Sequence, residues 1–157
     1  MSWILKIWLT FISVSVCQAQ TVSLNEVRHL YKEAAIDHDA CTKLISELTR
    51  KNNLTASIQL GYKGSAIMMK AKYGFNPFSK LSNFISGKKM LEKSIAIDPS
   101  NAELRYLRFT IQNNAPSFLG YKSDITTDKN FLVAALSGMK DVVLKQMIET
   151  YINSRNH

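Results

Sequence analysis

The sequence has few of the residues that interrupt helices or cross-link small folds. Its 157 residues include three Pro and six Gly, and this scarcity favours helices because folds with many strands need many turns. The two cysteines are Cys17 and Cys41. We expect the segment that contains Cys17 to be removed, so the remaining chain has one thiol and its hydrophobic core must hold it together. With 46% hydrophobic and 20% charged residues, the composition is that of one globular domain.

Residues 1–19 have the pattern of an export signal. One charge, Lys6, precedes the apolar run from Ile7 to Val16, and small residues at positions 17 and 19 predict cleavage after Ala19. The run is about half of the ~20 residues that a membrane-spanning helix needs. We therefore predict an exported protein, periplasmic or secreted, without stable membrane insertion after cleavage. Two alternatives are an uncleaved segment that anchors the chain in the membrane and a lipid attached to Cys17.

Residues 20–157 are predicted to form a single all-α domain with seven helices and no strand. Capping boxes at Ser23–Glu26 and Ser100–Glu103 mark two helix starts. Asn76 followed by Pro77 marks another, and Asp98 followed by Pro99 ends a helix since the residue before Pro is disfavoured in the α region. The short links predict an array of antiparallel helical hairpins.

Further local features predict how these helices begin, end and pack. Gly61 and Gly64 predict the close approach of a neighbouring helix, and Gly74 predicts a left-handed helix stop. Thr127 or Asp128 is expected to cap a short helix after the irregular segment 115–127, whose Phe118, Leu119 and Tyr121 are expected to pack inward. The helix after Pro77 is expected to carry one apolar stripe formed by Phe78, Leu81, Phe84, Ile85, Leu91 and Ile95.

The spacing of four residues near the chain centre resembles a known repeat. Gly87, Leu91, Ser94 and Pro99 follow one another at intervals of 4, 3 and 5, which resembles the second helix of a tetratricopeptide repeat. A weaker echo of the same offsets is formed by Ala40, Leu44, Glu47 and Asn52. The resemblance covers residues 54–107. It implies stacked helical hairpins that act as a scaffold or bind a peptide in a concave groove.

No pattern of a catalytic or metal site is found in the sequence. There is no glycine-rich phosphate loop, no nucleophile elbow and no zinc-protease motif. His38 has no second ligand at the spacing of a helical metal site, and Cys41 is expected to be a small buried residue. We therefore expect no catalytic residue, no cofactor and no metal.

Two arginines and two tyrosines are candidates for contact with a partner. Arg105 and Arg108 share one face of the helix that follows Pro99. Together with Tyr62 and Tyr73 of the preceding hairpin, they could line a groove for a partner that carries carboxylates. The alternative is that both arginines cap helix carboxyl ends or pair within the chain, with Asp98, Glu103 or Asp124.

The charge of the chain is positive but dispersed. The formal net charge is +8, yet no run of five or more basic residues and no aromatic–basic RNA motif occurs, so nucleic acid is not an expected partner. We expect an exported, soluble, helical interaction or scaffold protein that binds a protein or peptide and is not an enzyme. The alternatives are a hydrolase with dispersed site residues and a basic binder of an anionic polymer or lipid surface.

Overall fold

The described part of the chain folds into seven α-helices. The computed structural model describes residues 21–50 and 52–155, and within these ranges it contains no strand. The predicted all-α fold with seven helices is therefore confirmed, whereas the predicted signal peptide and Cys17 lie outside the described residues. The helices are α1 (Leu24–Ala34), α2 (His38–Thr49), α3 (Ala56–Tyr73), α4 (Pro77–Ile97), α5 (Ala102–Asn114), α6 (Ile125–Ala135) and α7 (Val142–Ser154).

Several helices begin where the capping residues predict. Ser23 Oγ accepts the amide hydrogen of Glu26 at 3.2 Å at the start of α1. Asn76 caps α4, with Pro77 as its first residue, and Asp98 ends that helix. These side chains satisfy amide groups that have no partner inside the helix.

Three predicted helix ends are wrong in detail. Asn101, and not Ser100, caps α5, because the Asn101 Oδ1 accepts the amides of Glu103 at 3.0 Å and Leu104 at 3.3 Å. Helix α6 begins three residues early, after Asp124, since Asp128 is drawn into the core by arginines. Gly74 has φ −72°, so it ends α3 in an extended conformation that any residue can adopt.

Helix α3 is central, and glycines allow its neighbours to approach it closely. A Cβ placed on Gly64 would lie 2.7 Å from the carbonyl oxygen of Gly87 on α4. A Cβ on Gly61 would lie 2.5 Å from Leu104 Cδ2 on α5. The predicted packing function of Gly61 and Gly64 is confirmed: at Gly64 the nearest atoms belong to the backbone of α4, and at Gly61 the Leu104 side chain would have to move to admit a Cβ.

One hydrophobic core joins the helices. Cys41 lies within it and its thiol donates to the carbonyl of Ala66 at 3.4 Å, which confirms that it is a small buried residue. Each of the seven helices contributes at least one side chain with no exposed surface: Val27, Leu44, Tyr62, Leu91, Leu104, Leu132 and Ile148.

The segment between α5 and α6 packs only in part. Tyr121 is buried, with its ring 5.8 Å from that of Phe84 on α4. Phe118 is 86% exposed, so the expectation that it packs inward is wrong. It lies in a 3-10 turn, Ser117–Leu119, where successive side chains point about 120° apart and cannot all face the core.

Candidate functional site

Two side chains from different helices, Arg28 and Tyr62, donate hydrogen bonds to the buried Glu103 carboxylate of α5. The Arg28 guanidinium of α1 donates to both Glu103 oxygens, from Nε at 2.7 Å and from Nη2 at 2.8 Å. Tyr62 Oη of α3 donates to Glu103 Oε1 at 2.5 Å. Arg28 Nη2 also donates to Asp141, the residue that caps α7, at 2.6 Å. We call this group the Glu103 cluster.

The Glu103 cluster is a structural tie between α1, α3, α5 and the start of α7. Burial would lower the pKa of Arg28, but its hydrogen bonds with Glu103 and Asp141 outweigh burial and raise that pKa above its usual value. Burial and the neighbouring Glu103 carboxylate raise the pKa of Tyr62 well above its usual value. Arg28 therefore stays charged and Tyr62 stays neutral, which is the pairing that a buried carboxylate requires.

A second buried group, the Asp128 cluster, connects α5, α6 and α4. Arg108 donates to the two carboxylate oxygens of the fully buried Asp128, from Nε at 2.7 Å and from Nη2 at 2.8 Å. Arg105 Nη1 donates to the same carboxylate at 3.1 Å. Arg108 Nη1 also donates to Glu92 of α4 at 2.9 Å, and Tyr121 Oη donates to the other Glu92 oxygen.

The four residues predicted to contact a partner take up different positions in these groups. Arg108 is 5% exposed and Tyr62 has no exposed surface, so a partner of the folded chain cannot contact Tyr62. Arg105 is partly exposed and also bonded to the Pro99 carbonyl. Tyr73, ~16 Å further along α3 than Tyr62, donates to the carbonyl of Ala34 at 2.9 Å.

These positions bring Arg105 and Arg108 together but leave the two tyrosines apart from them. Pairing within the chain is seen for Arg108, whose Nη2 lies 3.6 Å from Asp124. Its main partner, Asp128, was not predicted, and neither was Arg28. The sequence signal for Arg28 is weak: it follows Val27 and precedes Tyr31 by three residues, at the edge of the buried stripe of α1.

The most unusual surface of the described chain is an apolar strip on the first half of α4. Phe75, in the turn before the helix, is fully exposed, and Phe78 is 84% exposed. Leu81 and Ile85 are 48% and 45% exposed. Lys89 and Lys93 follow on the same helix and are exposed too. We call these six residues the α4 face.

The expected single stripe on α4 is therefore wrong, because its members lie on two sides of the helix. Only Phe84, Leu91 and Ile95 are buried. Gly87 contacts the backbone of α3 and so defines the inner side of α4. A helix turns about 100° per residue, so Phe78, nine positions before Gly87, points about 180° away from it. The position of Gly87 was the signal that could have identified the exposed side.

A shallow cavity of about 390 Å³ lies at the amino-terminal end of α3, away from the apolar part of the α4 face. Its lining contains Val22, Leu24, Leu54 and Ile58 together with Thr, Ser and Asn side chains, none of which titrates near neutral pH. Within the described ranges, no three His, Cys, Asp or Glu side chains are placed to hold a metal ion. No helix among the same residues combines the length and the apolar character needed to cross a bilayer.

Comparison with known proteins places the chain in no family. No protein-family model, no curated protein and no solved structure matches it. The resemblance to a tetratricopeptide repeat stays a prediction. Three of the residues that carry it, Gly87, Leu91 and Ser94, are buried where α4 packs on its neighbours.

Proposed function

We propose that this protein is a non-catalytic interaction protein that binds a protein or peptide through the α4 face. The observation that carries the proposal is the exposure of Phe78, Leu81 and Ile85 along α4 and of Phe75 in the turn before it. Contiguous exposed apolar side chains are uncommon on monomeric proteins, and when bordered by charged residues they mark interaction sites.

The positions of the polar groups support binding rather than catalysis. The buried carboxylates Glu103 and Asp128 are each paired with an arginine through two hydrogen bonds. A carboxylate held in this way is a poor candidate for a general acid or base, since both of its oxygens are engaged by a buried arginine and it does not face a substrate cavity. The hydrolase alternative would need acid and base groups near an accessible cavity, and the lining of the 390 Å³ cavity offers none.

The expected location outside the cytoplasm remains part of the proposal and rests on residues 1–19 alone. The purified exported chain should begin at Gln20 when its mass and amino-terminal sequence are determined. A chain that retains Met1 would indicate the uncleaved anchor, and a diacylglycerol adduct on Cys17 would indicate a lipoprotein. Either result contradicts cleavage after Ala19.

Photo-cross-linking tests whether the α4 face contacts a partner. The exported chain would carry a photoreactive residue at Ser82, which is exposed on α4, or at Thr150, which is exposed on α7. We expect a discrete cross-linked species of higher mass from Ser82 and none from Thr150. The double substitution Phe78→Ser and Leu81→Ser should remove that species.

A matched control separates loss of binding from loss of folding. Val133→Ser and Val142→Ser also remove two exposed apolar side chains, which lie on α6 and α7, and this variant should keep the cross-linked species. Equal cross-linking yields from both double variants, with both folded by circular dichroism, would contradict the proposed function.

A further inference from the structure

We infer that the partner of the α4 face is an acidic amphipathic helix, which docks along α4 with its apolar side on Phe78, Leu81 and Ile85 and its carboxylates on Lys89 and Lys93. This inference rests on the proposed function and gives the chemistry of its partner. It follows from the spacing of the apolar side chains, from the distribution of charge and from the poor fit of other occupants.

The spacing of the apolar side chains fits a helix better than an extended strand. Phe78, Leu81 and Ile85 are three and four residues apart, so they form a straight ridge of two turns, ~10 Å long. Lys89 and Lys93 extend the same side of α4 by another ~12 Å. A second helix with apolar residues at the same intervals can pack into such a ridge, which is the usual way in which amphipathic helices are recognised.

The distribution of charge selects an acidic partner. Residues 52–97 contain seven lysines, no arginine and one acidic residue, Glu92. The Glu92 carboxylate is already bonded to Arg108 and Tyr121. Within the described chain, Lys89 and Lys93 make no ion pair, so Asp or Glu side chains of a partner would be their first counter-charges. Electrostatic complementarity of this kind sets specificity and orientation.

Three other occupants fit the α4 face less well. If a second copy of the chain docked on this face, an antiparallel pair of α4 helices would bury lysines against Phe78, and a parallel pair would place lysines against lysines. Both arrangements are unfavourable. Residues 1–20 contain no acidic residue, so they cannot neutralise Lys89 and Lys93.

An anionic lipid surface would meet two acidic side chains near the apolar end of the α4 face, beside the basic Lys72. Lys72 Nζ lies 2.9 Å from the Ala35 carbonyl, which places the α1–α2 turn beside the end of α3. Asp37 in that turn and Asp39 in the first turn of α2 are both exposed. Their charges would approach the phosphates of a membrane that Phe75 entered, at an unfavourable free energy that falls with salt.

Two synthetic peptides of 18 residues test the inference directly. Both have leucines at intervals of three and four residues, and they differ only in three positions of the last turns, which are Glu in one peptide and Lys in the other. Binding of each to the purified chain would be measured by fluorescence anisotropy in low and in physiological salt. We expect the Glu peptide to bind at least about tenfold more tightly in low salt, and this ratio to shrink as salt is added.

Charge reversal assigns the preference to the two lysines. The variant Lys89→Glu and Lys93→Glu should lose the preference or invert it, whereas the control Lys122→Glu and Lys140→Glu, at two exposed lysines outside α4, should keep it. The variant Phe78→Ser and Leu81→Ser should weaken both peptides. These results together would support the inference.

The contrary results are distinct from failure of the proposed function. Equal affinity for the two peptides, or a preference that survives charge reversal of Lys89 and Lys93, would refute the acidic helical partner. A cross-linked species from Ser82 would still support the proposed function. If the chain sediments with phosphatidylglycerol vesicles, loses this binding when Lys89 and Lys93 are changed to Glu, and binds neither peptide, the partner is a lipid surface and the inference is refuted. If the chain is a dimer that Phe78→Ser converts to a monomer, the α4 face is a site of self-association and the inference is refuted.

Discussion

Replacing Gly64 by Ala tests whether the direct contact between α3 and α4 holds the α4 face in place. The added Cβ would lie 2.7 Å from the carbonyl oxygen of Gly87, 2.8 Å from the amide nitrogen of Leu91 and 2.9 Å from Met90 Cβ. Two of these atoms belong to the backbone of α4, so no rotation of a side chain can relieve the contact. The two helices must separate by roughly half an ångström or more, and the interdigitated core beside them must follow.

The expected magnitude is the difference between two opposing effects. Alanine has a higher helix propensity than glycine, which stabilises the helix by about 1 kcal/mol. Overpacking costs about 1–3 kcal/mol, and we expect a value near 3 because backbone atoms cannot yield. The net loss in the free energy of unfolding should be about 2 kcal/mol, equivalent to a fall in Tm of about 6–10 °C for a domain of this size.

The assay is thermal and urea unfolding followed by circular dichroism at the helix band. Gly74→Ala is the matched control, because its Cβ would lie 3.4 Å from the flexible Lys80 Cγ and its φ of −72° suits alanine. This control should be neutral or more stable by about 0.4–1 kcal/mol. A Gly64→Ala variant as stable as the unsubstituted chain would refute the account of the helix contact.

Three further predictions concern Glu103 and Cys41, which are buried, and Asp141, which is exposed at the start of α7. Glu103→Gln should lower the free energy of unfolding by about 2–3 kcal/mol, because Arg28 loses a charged acceptor of two hydrogen bonds but keeps Asp141. The exposed Glu149→Gln should change it by less than about 0.5 kcal/mol in the same urea titration. The hydrogen bond from Arg28 lowers the pKa of Asp141 in the folded state, so the ionised Asp141 carboxylate stabilises the fold. That contribution is complete above the unfolded pKa of about 4 and is lost as pH falls through the folded pKa. Asp141→Asn should therefore flatten the acid limb of a stability–pH curve, and an unchanged limb would contradict the assignment. Cys41 has no exposed surface and burial raises the pKa of its thiol, so a thiol reagent should modify it only as fast as the chain opens; rapid labelling without denaturant would show that the thiol is accessible.

Capping residues and hydrophobic spacing were sufficient to predict the number and order of the helices. Ser23 and Asn76 with Pro77 each mark a helix start because they satisfy free amides within the next three residues, which is a local effect. The same local reasoning failed at Ser100 and Thr127. At the start of α5 the neighbouring Asn101 takes the cap position. In α6, Asp128 is buried and bonded to Arg105 and Arg108, so its side chain does not cap the helix.

The candidate site was harder to predict than the fold. The sequence pointed to Arg105, Arg108, Tyr62 and Tyr73 as partner contacts, and it could not show that Arg108 and Tyr62 would be buried and paired within the chain. Phe78 and Leu81 were expected to join a core stripe. Their exposure depends on which side of α4 meets α3, and a helix with apolar residues on two sides does not specify that side.

The sequence by itself determined an all-α chain of seven helices, the close approach at Gly61 and Gly64, and the burial of Cys41, because each depends on local propensity or on the size of one residue. The tertiary structure alone decided which charges are buried as pairs and which apolar side chains remain outside. The backbone contact of Gly64 with Gly87 fixes the rotation of α4 about its axis. That rotation turns Phe84 and Leu91 into the core and leaves Phe78, Leu81 and the lysines on the surface.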